Sequence, residues 1–65
     1  MTWRRKLRIQ SLVGIAIQEL DSGKEFNQIS DKLEHEMKIR WKLVSGTRKQ
    51  YLHTVQGVLE NRYFV

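Results

Sequence analysis

Residues 45–65 read SGTRKQYLHTVQGVLENRYFV, and the rest of the chain is organised around them. Ser45-Gly46 is a turn signal. Thr47 followed by Gln50 is a capping box, in which each side chain satisfies a backbone N–H left unpaired at a helix start. Beyond the cap, Tyr51, Leu52, Val55, Val58, Leu59 and Tyr63 recur at helical spacing and share one side of a helix. The other side carries Lys49, Gln50, His53, Thr54, Gly57, Glu60 and Asn61. Apart from Glu60 these residues are small or form hydrogen bonds, and the cations sit in the first turn. Two readings fit this pattern. One is an amphipathic core helix with a solvated outer face. The other is a helix that enters a DNA major groove with its N-terminal residues toward base edges.

Immediately upstream, Lys38–Val44 (KIRWKLV) changes period. Ile39, Trp41 and Leu43 alternate with Lys38, Arg40 and Lys42, the pattern of a short extended segment with one buried face. Continuation of the preceding helix is the alternative. In the extended reading, Trp41 anchors the segment in the core. Before it, Asn27 is the expected N-cap of a helix running to about Met37, with Phe26, Ile29, Leu33 and Met37 as its apolar line. Asp31, Lys32, Glu34, His35 and Glu36 make its outer side net acidic.

The first helix is expected over Thr2–Leu20. Ile9, Leu12, Val13, Ala16, Ile17 and Leu20 fall on one side, and Gly23 is free to take the left-handed C′ conformation that ends it. Residues 1–8 are either a basic arm or the first turns of this helix, and residues 9–65 form a single three-helix domain. The expected core comprises Leu12, Ala16, Ile17, Leu33, Leu52, Val55 and Leu59. Trp3, Leu7 and Ile15 lie off the main apolar stripe.

At 65 residues the chain makes one domain without room for a deep core; a chain this short buries only about 60% of its unfolded surface. Without cysteine there is no disulfide, thiolate nucleophile or Cys-based zinc site. A cytoplasmic location is expected, or a nuclear one in a eukaryote. No apolar run approaches the roughly 20 residues of a membrane span. The basic start followed by apolar residues lacks the continuous run and cleavage site of a secretory signal.

The net charge of +5 is unevenly distributed. Residues 3–8 and 38–49 hold nine cations and no acid, whereas the rest of the chain has three cations against seven acids. A one-signed surface concentrates a polyanion locally. Catalytic chemistry finds little support. His35 and His53 sit on different helices, the glycines are dispersed, and neither a nucleophile pair nor a metal-ligand spacing occurs. No enzyme activity, cofactor or metal is expected.

Helix, turn and helix followed by Thr54–Val65 (TVQGVLENRYFV) resemble the recognition helix and following strand of winged-helix transcription regulators. Leu59-Glu60 and Tyr63-Phe64-Val65 match that ending, and Ile29 to Leu33 match the supporting second helix. The chain stops where the wing hairpin should begin, and the connection between the second and third helices is long. A fainter similarity is to the three-helix C-terminal domain of DEK-type chromatin proteins. The resemblance implies a mainly α, three-helix winged-helix-like domain with one or two short strands, its wing truncated or absent. It also implies a transcriptional or architectural regulator partnered by double-stranded DNA.

On that reading Lys49, Gln50, His53 and Thr54 are the groove-facing positions. Gln pairs bidentately with adenine, Lys donates to guanine, and Gly57 lets the helix backbone approach closely. Ser45 and Thr47, with the helix-start N–H groups, would hold a phosphate. Arg4, Arg5, Lys6 and Arg8 would lie along a backbone or in a minor groove, and Lys42 and Arg48 complete the candidate set. The competing class is a protein-interaction module docking through Trp3, Leu7, Ile15 and Phe64. RNA binding ranks third. A homodimer is expected, because the core is small and Leu7 and Ile15 face away from it.

Overall fold

Gly23, at φ +89°, ends the first helix as expected. Its N–H donates to the Leu20 carbonyl at 2.9 Å and the next N–H, of Lys24, to the Glu19 carbonyl at 3.2 Å, the paired bonds of a Schellman motif. The computed structural model describes residues 2–63 as α1 (Thr2–Asp21), α2 (Phe26–Ile39) and α3 (Ser45–Tyr63). The basic segment WRRKLR therefore forms the opening turns of α1 rather than a separate arm.

Helix α2 starts at Phe26 with Glu25 as its N-cap, not at Asn27. The backbone N–H of Glu25 donates to Gln28 Oε1 at 3.2 Å, the reach-back half of a capping box. Its far end corrects a second expectation. The helix runs through Ile39, and no strand occurs among the described residues. Lys42 instead takes a left-handed φ of 54°, and the Leu43 N–H returns to the Met37 carbonyl at 3.1 Å. Alternation over Ile39, Trp41 and Leu43 was thus the signature of a helix end and a tight bend. The other short strand is expected over residues 63–65, of which Tyr63 lies in α3 and Phe64 and Val65 fall outside the described residues. The mainly α class holds, without the strands of a winged helix among these residues.

Helix α3 begins at Ser45, and the Arg48 N–H closes its first turn by donating to the Val44 carbonyl at 3.0 Å. Thr47 is inside the helix and does not cap it. Each helix packs on both others. Leu12, Val13 and Ala16 of α1, Ile29, Leu33 and Met37 of α2, and Tyr51, Val55 and Leu59 of α3 form the buried core. Ile17 and Leu52, expected within it, are half-buried at its edge, where Ile15 and Trp41 also pack. Tyr51, absent from the expected core, belongs to it and is only 5% exposed.

Candidate nucleic-acid interface

Three-helix packing brings the start of α1 against the first half of α3. The guanidinium of Arg5 lies 5.7 Å from the centroid of the Tyr51 ring and donates to Thr54 Oγ1 at 3.4 Å. Thr54 Oγ1 in turn donates to the Gln50 carbonyl at 3.0 Å, one helical turn back. Arg8 lies 5.5 Å from the ring of Trp41, at the start of the α2–α3 loop. Cation–π contact of this kind contributes about 0.5–1 kcal/mol at exposed sites. Its larger consequence is positional: it holds two cations with donors left for another partner.

Arg4, Arg5 and Lys6 are exposed and Arg8 is half-buried. Lys49, Gln50 and His53 are exposed on α3, while Thr47 and Thr54 are half-buried. Lys42 is exposed in the loop. The structure thus joins Arg5 to the α3 face of Gln50 and Thr54. Arg48 is different in kind. Its Nε donates to Glu34 and its Nη1 to the Leu43 carbonyl, and its side chain is 16% exposed. This guanidinium serves the α2–α3 connection.

The remaining ion pairs sharpen the charge division. Glu19 is bracketed by Lys24, at 2.8 Å, and by Lys32, and Glu36 sits 3.8 Å from Arg40. These contacts occupy cations of α2 and the loops. Among the described residues, none engages Arg4, Arg5, Lys6, Arg8 or Lys49. Hydrogen bonds from Lys24 and Lys32 hold the Glu19 carboxyl down at about 2, from an ordinary 4.5.

Sequence reading missed Tyr51 and Trp41 as seats for Arg5 and Arg8. Both aromatics looked like core residues, and nothing local links them to arginines on another helix. Among the described residues no cluster of His, Asp or Glu has the makings of a metal site, and no helix is long and apolar enough to cross a membrane. No family model, curated protein or solved structure matches the chain.

Proposed function

We propose that this chain is a small DNA-binding protein, a transcriptional or architectural regulator that meets duplex DNA with α3 and the basic start of α1. The observation that carries this reading is Arg5, seated on Tyr51 and bonded to Thr54. Arg5 sets the cationic start of α1 against a helix that exposes Lys49, Gln50 and His53, and among the described residues no acid pairs with Arg4, Arg5, Lys6, Arg8 or Lys49. Cations of that kind gain by replacing the counterions of phosphate. Amide and imidazole groups on the adjoining helix have the donors and acceptors that base edges require.

The roles divide. Arg4, Arg5, Lys6, Arg8 and Lys42 contact phosphates, Lys49, Gln50 and His53 contact bases, and Thr47 and Thr54 position the helix. The test is a salt titration of binding to mixed-sequence duplex DNA. The expected result is a linear fall of log affinity with log salt, by about one unit of slope per phosphate contact. Loss of all duplex binding near physiological salt would overturn the reading. A protein-docking module is the second reading, favoured by Trp3 and Leu7, 66% and 51% exposed and one helical turn apart. Its third expected member, Ile15, packs against the core. A homodimer would present two copies of α3 to a two-fold site, and sedimentation velocity at high micromolar concentration tests that.

A further inference from the structure

We infer that the cleft between the first turns of α1 and the start of α3 takes an unpaired nucleotide of a DNA strand, with the base stacked on Trp3. The cleft encloses about 470 Å³ and is lined by Trp3, Arg4, Arg5, Arg8 and Tyr51. That volume lies within the range of small-ligand sites. Its composition is two aromatics among three guanidiniums. The two aromatics differ in availability: Tyr51 is 5% exposed and lies beneath Arg5, whereas Trp3 is 66% exposed. An indole left open beside cations is poorly matched to an apolar protein surface, which would have to strip water from all three guanidiniums. A nucleotide brings both complements at once, a flat base for the ring and phosphates for the arginines.

Seating of Arg5 on Tyr51 and of Arg8 on Trp41 means that two cations need little ordering before a phosphate arrives. A paired duplex keeps its bases stacked inside and offers Trp3 only sugar and phosphate. Stacking of a base on an aromatic ring is sequence-tolerant, because every base has a π-face. This inference rests on the proposed DNA-binding role and deepens it: the same basic surface would favour a strand end, gap or melted stretch over closed duplex. RNA strands share the base-and-phosphate chemistry. The commitment to DNA follows from the duplex contacts assigned to the adjoining α3.

The experiment compares a labelled oligothymidylate, an oligouridylate of equal length and a blunt mixed-sequence duplex, by anisotropy and tryptophan fluorescence. Oligothymidylate should quench the intrinsic fluorescence, and duplex should not. Trp3→Leu should weaken oligothymidylate binding by about tenfold, the loss of one stacked base, and change duplex affinity less than twofold. Trp3→Phe should keep most of the strand affinity while losing the quench, which separates stacking from misfolding. Equal weakening of strand and duplex by Trp3→Leu, or no weakening of the strand, overturns the inference and leaves duplex binding standing. Tighter binding of oligouridylate overturns the assignment to DNA. Binding of neither strand nor duplex removes the wider reading and this inference with it.

Discussion

Arg48 and Glu34 join the first turn of α3 to the middle of α2, with the guanidinium reaching on to the Leu43 carbonyl of the intervening loop. A residue that sequence alone places in the candidate interface thereby also supports the fold. Arg48→Ala should cost about 1–2 kcal/mol of stability, the scale of a charged hydrogen bond discounted for a partly exposed acid. It should leave the salt dependence of DNA binding unchanged. Arg4→Ala should do the reverse, keeping stability and shallowing the log–log slope by roughly one unit. Thermal melts and salt titrations of the two variants decide the matter, and a shallower slope for Arg48→Ala would return it to the interface.

Core substitutions should follow the observed burial rather than the helical wheel. Leu33 is fully buried, while Leu52 stands at the edge of the core. Leu33→Ala should therefore cost about 2–5 kcal/mol. A small domain draws only about 3–5 kcal/mol from its core, so that variant should be largely unfolded. Leu52→Ala should cost about 1 kcal/mol and remain folded. Equal destabilisation in a denaturant titration would mean that Leu52 is as deeply packed as Leu33.

The difference between Leu52 and Tyr51 shows where sequence periodicity stops being informative. Apolar spacing located all three helices, because each buries one stripe and every stripe is read within a single element. It could not rank neighbours on a stripe, which depends on how far each side chain lies from two other helices. Tyr51, with a polar tip, is buried while its neighbour Leu52, the expected core residue, stands at the edge. Gly23 was legible because only a left-handed residue closes that turn so easily. The bend at Lys42 was not, because a lysine with positive φ carries no local signal. Of the candidate interface, the cation clusters were visible in the sequence. The seating of Arg5 and Arg8 was not, since it exists only once α1 packs against α3 and the α2–α3 loop.

Glu19 ties the end of α1 to the following loop through Lys24 and to α2 through Lys32. Its carboxyl titrates near 2 in the folded protein, against 4.5 ordinarily. A depressed folded pKa means that the stabilisation is fully present above the unfolded value and is lost as pH falls toward the folded one. Melting temperature should therefore drop between about pH 4.5 and pH 2. Glu19→Gln should start lower at neutral pH and show a flatter profile across that window. An unchanged slope would mean that the two lysines do not hold the carboxylate in solution.

Gly14 and Gly57 occupy exposed positions inside α1 and α3, and a methyl group added at either would meet nothing within 4 Å. Glycine inside a helix is less favourable than alanine by about 0.8–1 kcal/mol. Alanine at either site should therefore raise stability by up to about that amount. The two should part company in DNA binding. Gly14 lies on α1 beyond the basic turns, so Gly14→Ala should bind duplex as the wild type does. Gly57 follows His53 by one turn on the α3 face assigned to the groove, where a missing side chain lets the helix backbone come close. Gly57→Ala should weaken duplex binding several-fold despite its higher melting temperature, because a methyl there stands between the helix and the groove floor. Unchanged binding by Gly57→Ala would move the groove contact to the N-terminal turns of α3, leaving Lys49, Gln50 and His53 as the residues that reach the bases.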